Sequence, residues 1–343
     1  MTNKISFASD YQEGAHPQII DALIRTNLIK TAGYGTDEFC QSARNKIRTA
    51  CNAPNAEVHF LVGGTQTNAV VINAALKSYE GVIAAASGHI SIHEAGAIEF
   101  GGHKVLTLPH IHGKISANKI RELIENFEGD DNRAHMVKPA LVYISQPTEY
   151  GTLYSLNELE NISAVCREKN LPLYLDGARL AYALATSQND VTLADIARLC
   201  KIFYIGGTKC GAYFGEAVVM RKNFIPHFFT IMKQHGALLA KGRILGLQFD
   251  TLFTDNLYME IGAPAIKAAD KIRAALKNRG YELYFDTPTN QIFVVLDDKN
   301  LARLSNAVEF SFWEKLSPDK TVIRLATSWA TQDSDVENLI KRL

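Results

Sequence analysis

Four places in the sequence combine residue types that could act together on a small anionic molecule. The first is Gly63-Gly64-Thr65-Gln66-Thr67-Asn68, directly after the apolar run 58–62. Two glycines let the backbone curl so that successive N–H groups point at one spot, and a helix start adds partial positive charge. With the hydroxyls of Thr65 and Thr67, that suits a phosphate; a plain tight turn with a polar helix cap is the other reading. The second is Asp176 in Leu175-Asp176-Gly177-Ala178-Arg179. A carboxylate ending a buried strand is costly unless paired, and a protonated ring nitrogen is a fitting partner. A turn-forming Asp before Gly is the bland alternative.

The third is Lys209 in Gly206-Gly207-Thr208-Lys209-Cys210-Gly211. Burial would lower its pKa and free the amine for Schiff-base chemistry. The GxxxxGK[ST] spacing of a P-loop is absent, so the competing reading is a solvated loop lysine. The fourth is Arg324 within the apolar run 322–326. Its planar fork matches an amino-acid carboxylate, unless it sits on an edge strand and reaches solvent. No motif is strong alone. Their order is more informative, because each has a separate task on one cofactor and one amino-acid substrate.

The elements that must position these residues are legible as alternating runs. Strands are expected at 58–62, 81–86, 104–108, 140–145, 171–175, 202–205 and 217–220. Helices are expected at 68–79, 92–100, 117–126, 156–169 and 193–199. Apolar strands separated by helices imply a mainly parallel sheet covered on both faces, with ligands beyond the carboxyl ends of the strands. After a long helix at 261–279, short strands at 281–285, 291–296, 310–313 and 322–326 and a helix from 335 imply a smaller α+β domain. The expected division is an N-terminal arm (1–16), a large domain (17–245) and a small domain (246–343).

Composition narrows the partners. The 343 residues carry 36 basic and 36 acidic side chains, so no global field attracts nucleic acid or an anionic membrane. No run approaches the roughly 18 apolar residues of a membrane span, and the first residues lack the apolar core of a secretory signal. Five scattered cysteines without a CxxC imply free thiols and a cytoplasmic setting. His89 and His93, four apart, do not form an HExxH motif, and no metal is expected. Trp313 is expected in core packing, Trp329 near the substrate, and His103, His110 and His112 on a solvated loop.

Taken together, the residues resemble the threonine aldolase/β-eliminating lyase family of pyridoxal-phosphate enzymes with the aspartate aminotransferase-like fold. The resemblance rests on Ala8-Ser9-Asp10, Gly33-Tyr34-Gly35, Gly63 to Asn68, Gly88-His89, His93-Glu94-Ala95-Gly96, Leu175 to Arg179, Gly206 to Lys209 and Ile323 to Trp329. It implies that Lys209 carries pyridoxal 5'-phosphate as a Schiff base and that Asp176 pairs with the ring nitrogen. His89 would stack on the ring and serve as a base, Gly64 and Thr65 would hold the phosphate, and Arg179 would sit near the ring oxygen and the substrate carboxylate. Ser9 and Arg324 would bind that carboxylate, and Tyr34 would reach in from a neighbouring subunit of a dimer or dimer of dimers. One departure concerns Gln146-Pro147-Thr148-Glu149-Tyr150-Gly151, where Glu149 stands in place of a histidine common in the family. The base is therefore His89, Glu149 or a water they orient.

The implied activity is retro-aldol cleavage of a β-hydroxy-α-amino acid, such as threonine or allo-threonine, to glycine and an aldehyde. Alternatives are β-elimination or transamination with the same cofactor and, more remotely, a nucleotide- or phosphate-binding module without Schiff-base chemistry. A basic stretch, Lys233 to Arg243, could meet the cofactor phosphate of a neighbouring subunit or form a solvated helix face.

Overall fold

The computed structural model describes residues 4–343. Seven strands form the central sheet: β1 (Glu57–Leu61), β2 (Glu80–Ala85), β3 (Val105–Leu108), β4 (Lys138–Ser145), β5 (Leu173–Asp176), β6 (Ile202–Gly206) and β7 (Glu216–Met220). Their spatial order is β1-β7-β6-β5-β4-β2-β3, and β7 alone runs antiparallel to its neighbours. Every expected strand is present, within about two residues of its expected ends. The strands read as unbroken apolar runs because both faces are covered. Ile83, Val142, Ile144, Leu175 and Phe203 join one core, and Val82, Leu141, Tyr143, Tyr174 and Tyr204 join the other. This alternation decides which side chains face the site.

Helical expectations fare less well. The helix after β1 spans Gly64–Ala75 and starts on the glycine pair, since Gly63 is its cap. The expected 92–100 helix is two single turns, His89–Ile92 and Ala97–Phe100. Ala95 and Gly96 between them have φ of 51° and 72°, a left-handed kink that no continuous helix passes through. Helices Pro17–Thr26, Glu38–Ala50 and Asp298–Ser305 were not read from the sequence. His103 is buried, with Nδ1 3.1 Å from the Glu80 carbonyl, rather than on a solvated loop. The five cysteines are free and buried. No helix among the described residues is long and apolar enough to cross a membrane.

The smaller sheet comprises β8 (Glu282–Leu283), β9 (Gln291–Asp297), β10 (Ser311–Ser317) and β11 (Lys320–Ala326), in the order β10-β11-β9-β8 and antiparallel throughout. The expected division at 245/246 falls inside helix Arg243–Leu252, whose Leu245, Phe249 and Leu252 are buried in the large core. The apolar surface passes between cores along helix Ala263–Asn278. Ala265 and Ile266 pack with the large sheet, while Ala269, Ile272 and Leu276 pack with the small one.

The N-terminal arm ties the two bodies together. Ile5–Ser6 pairs in parallel with Val308–Glu309. A few residues on, Asp10 accepts both prongs of the Arg179 guanidinium, Nε at 2.7 Å and Nη2 at 2.9 Å, and also Asn290 Nδ2 at 2.9 Å. Arm, large domain and small domain thus meet at one buried carboxylate. Burial alone would raise the Asp10 pKa, but the charge and hydrogen bonds of Arg179, with Lys209 and Asn290, bring it down to about 2. A folded pKa below the unfolded value of about 3.9 means stability that is present above pH 4 and lost as pH falls from about 4 to about 2. Asp10→Asn should cost about 3–5 kcal/mol at pH 7, because it leaves Arg179 buried without its counter-charge. Urea midpoints at a series of pH values check this: the gap from the parent protein should narrow between pH 4 and pH 2. A gap that widens there would refute the assignment.

Candidate active site

The loops after β5 and β6 lie against each other. Gly206 N donates to Gly177 O at 3.0 Å, and a Cβ on Gly206 would stand 2.4 Å from the Ala178 carbonyl oxygen. Only glycine permits that approach, and it brings the Asp176 and Lys209 segments side by side. Beyond these strand ends is a cavity of about 480 Å³ whose walls include Lys209, Arg179, His89, Glu149 and Arg324. Five residues singled out from the sequence therefore face one space. A roomier groove of about 630 Å³ on the outer surface is lined by Lys114, Arg121 and Glu158. Those charges are already paired, Lys114 with Glu158 and Arg121 with Glu168, so it offers no free reactive group.

Lys209 is half-buried on the cavity wall, and its amine has no hydrogen-bond acceptor among the described residues. Burial, and then the Arg179 charge, lower its pKa, which favours the neutral nucleophilic amine. Tyr182 Oη fixes the backbone by donating to Lys209 O at 2.6 Å. Glu216, opposite on β7, accepts from Gly207 N at 3.1 Å and from Thr208 Oγ1 at 2.9 Å, which shapes the glycine-rich turn. Burial pushes the Glu216 carboxyl up to about 8.

Asp176 does not line the cavity directly and sits beneath it at the end of β5. Its Oδ1 accepts from Tyr204 Oη at 2.5 Å and Ala178 N at 2.9 Å, and its Oδ2 from Tyr143 Oη at 2.6 Å and Asn68 Nδ2 at 3.2 Å. The Asn68 contact is the longest. Gly64 lies close by, since a Cβ there would be 3.3 Å from the same Tyr204 Oη. The Gly64–Ala75 helix start, with Thr65 exposed, is therefore next to the Asp176 cluster.

Arg324 reaches the cavity from β11. Its Nη1 donates to Gln291 Oε1 at 3.2 Å, and its Nη2 to Ala8 O and Ser311 Oγ at 3.1 and 3.2 Å. Its Nε is buried without a partner, as is Ser87 Oγ on the same cavity. Burial, then repulsion from Arg179, lower the Arg324 pKa to about 10. Two guanidiniums facing one space favour an anion there. Ser9 lies between Ala8 and Asp10 on the arm, beside this cluster but off the cavity wall. Glu149 Oε1 accepts from His89 N at 2.9 Å and Ser145 Oγ at 2.8 Å, and burial raises its pKa.

Tyr34 is not brought to this cavity. It is partly exposed with φ 58°, and Lys233 lies over its ring at 4.3 Å. Trp313 packs on the Phe293, Val295 and Val322 cluster as expected and also lines the cavity with Tyr150, while Trp329 packs on His16 and the large core. Sequence reasoning quoted Asp10, Asn68 and Glu94 within its motifs without a role for them, and it gave none to Glu216 or to Tyr143, Tyr174 and Tyr204. The available signal was a tyrosine on each of three adjacent apolar strands, Tyr143 and Tyr174 in register and Tyr204 two residues further on, all on the core face shared with Asp176.

The donor set fits pyridoxal phosphate: an amine whose pKa is lowered, a fixed carboxylate beneath it, a helix N-terminus nearby, and unpartnered Arg324 Nε and Ser87 Oγ in residues that line the space. Comparison with known proteins agrees. A family model described as β-eliminating lyase matches residues 6–307. A low-specificity L-threonine aldolase of a Pseudomonas species is 31% identical, over 97% of this chain and 95% of its own. A solved threonine aldolase of Leishmania major superposes with a TM-score of 0.95 at 45% identity, covering 98% of this chain and 97% of that one. An aspartate aminotransferase of Thermus thermophilus, at 15% identity and a TM-score of 0.75 over 99% and 91% of the two chains, shares the fold. The chain belongs to the β-eliminating lyase family of pyridoxal-phosphate enzymes, on the aspartate aminotransferase-like fold.

Proposed function

We propose that this protein cleaves a β-hydroxy-α-amino acid, threonine or a relative, between Cα and Cβ to give glycine and an aldehyde. The observation that carries the reading is the Lys209 amine, its pKa lowered by burial and Arg179, in a cavity with Arg324 and His89. The names of the relatives from Pseudomonas and Leishmania point the same way. Bound pyridoxal phosphate supplies an aldehyde for an amine and a ring that accepts the electrons of the broken bond.

The remaining work belongs to this chain. Lys209 would hold the cofactor. Asp176, fixed by its four donors, would pair with the ring nitrogen. Gly64 and Thr65 would hold the phosphate at their helix start. His89 would lie against the ring. Arg324, with Arg179 and Ser9, grips the substrate carboxylate, which sets the direction of the bond to be broken. His89 or Glu149 removes the β-hydroxyl proton, directly or through water. Burial raises the proton affinity of Glu149, which suits it to accept a proton. The base carries about 10²–10⁴ of the rate. Comparing kcat for His89→Asn and Glu149→Gln identifies it, since only loss of the base should cost that much.

We further propose a homo-oligomer acting in the cytoplasm, in which Tyr34 serves the partner's site. Ile24, Leu28, Ile29, Tyr34 and Phe229 are exposed apolar side chains on this chain. Lys233 and Arg243 flank Tyr34 from the basic stretch: Lys233 lies over its ring, and Arg243 donates to Thr26 Oγ1 at 3.0 Å.

Lys209→Ala should abolish both the visible absorbance of the bound cofactor and the cleavage of threonine; retained cleavage would rule the scheme out. Release of pyruvate and ammonia in place of glycine and an aldehyde would instead support β-elimination. If Tyr34 acts across an interface, mixing inactive Lys209→Ala with inactive Tyr34→Ala should restore part of the activity. Mixed subunits that stay inactive would refute the shared site.

A further inference from the structure

Glu94 is a buried carboxylate with no role in the scheme above. It lies in the left-handed kink between the two single-turn helices, just before Ala95. Its Oε1 accepts from His89 Nδ1 at 2.7 Å and from Asn68 Nδ2 at 2.7 Å. The same Asn68 amide donates to Asp176 Oδ2 at 3.2 Å, and Asn68 Oδ1 accepts from Tyr174 Oη at 2.7 Å. A continuous chain therefore runs His89–Glu94–Asn68–Asp176, from the ring on the cavity wall to the carboxylate beneath it.

We infer that Glu94 is a positioning residue that holds the His89 imidazole in its Nδ1–H form, with Nε2 unprotonated and turned to the cavity. A neutral imidazole carries one N–H, and a carboxylate can only accept. The proton must then sit on Nδ1, which leaves the Nε2 lone pair for the substrate side. The geometry agrees: the Glu94 side chain is 0% exposed, the His89 side chain 34%. The other charged or titratable groups on the cavity near His89 are His93, Glu149, Arg179, Lys209 and Arg324. None of them bonds Nδ1; Glu149 takes the His89 backbone N–H instead. Two hydrogen bonds on one oxygen also orient Glu94 itself, because Asn68 is anchored at both ends.

A space-filling role does not account for this residue. Glu94 Oε2 is buried without a partner, at a cost of about 1–3 kcal/mol for an unmet polar group. Burial, as the larger effect, raises the Glu94 pKa, opposed by the bonds from His89 and Asn68. An apolar side chain would fill the volume without that cost.

The effect on turnover rests on the proposed lyase function, whereas the tautomer does not. The test uses cofactor-loaded protein labelled with ¹⁵N-histidine, with His89→Asn assigning the His89 signals. The parent and Glu94→Gln should both show the Nδ1–H form, because the amide oxygen can take both hydrogen bonds while Asn68 selects its orientation. Glu94→Ala should lose that form, and kcat should fall by about 10²-fold, the scale of a misplaced acid–base group, with KM nearly unchanged. Glu94→Met keeps the volume without an oxygen and replaces Glu94→Ala if the latter fails to fold. Retention of the Nδ1–H signal in the Ala or Met variant, or its loss in Gln, overturns the inference. If threonine is not a substrate at all, the NMR result still stands by itself and only the kinetic arm is lost.

Discussion

The site is organised by the requirement that a carboxylate buried at the end of β5 be satisfied. Removing Asp176 from water is tolerable only if its lone pairs are met. The sheet meets this demand through its register. Tyr143 on β4 and Tyr204 on β6 flank β5, on the same face as Tyr174, and the outer two deliver hydroxyls to Asp176 from either side. Asn68, from the helix that begins on the glycine pair, contributes from above. A shift of one residue in either strand pairing would turn a tyrosine to the opposite core and leave the carboxylate short of a donor. The sheet thus fixes the Asp176 carboxylate beside the Lys209 turn.

The cations around the cavity follow a similar logic with a different division of labour. Arg179 is bonded to Asp10 through two prongs, so most of its fork serves the junction of arm and domains. Arg324 is held only by neutral acceptors and keeps a free Nε. Burial without a counter-ion is what lowers its pKa, and the natural remedy is a ligand carboxylate. The family pattern names both arginines together. Their bonding separates them: Arg179 is tied to the Asp10 carboxylate and adds to the effect of burial on Lys209, while Arg324 has no counter-charge bonded to it.

How much of this was legible depends on how local the cause is. The strands were readable because burial on both faces imposes an apolar run of fixed length. The loops carrying Gly64, Asp176 and Lys209 were readable because the chemistry and the backbone demand act on the same few residues. The single-turn helices around Glu94 were not, since 92–100 has helical composition and only the kink at Ala95-Gly96 breaks it. That a helix crosses the expected boundary at 245/246 was hidden for a similar reason. Helix Arg243–Leu252 is amphipathic in sequence, and which core receives its apolar face is decided by Glu38–Ala50, some two hundred residues earlier. Tyr34 is a different case: the task that the resemblance implies for it needs a second chain.

Asp10, Asn68, Glu94 and Glu216 carried no readable role in the sequence. Asp10 and Asn68 meet partners far away in the chain, while Glu94 meets His89 five residues back and Glu216 meets Thr208 eight residues back. Asp10 meets Arg179 at a separation of 169 residues and Asn290 at 280, and Asn68 meets Asp176 at 108. A motif search detects groups that touch the ligand, because those cluster in loops. It does not detect the polar residues that hold those groups still, because each needs only one well-placed partner and any strand can supply it. In this protein the supporting set is nearly as large as the contacting set. Moving Glu94 or Asp10 would disturb His89 or Arg179 without touching any ligand, so the precision of the cavity resides largely in side chains outside it.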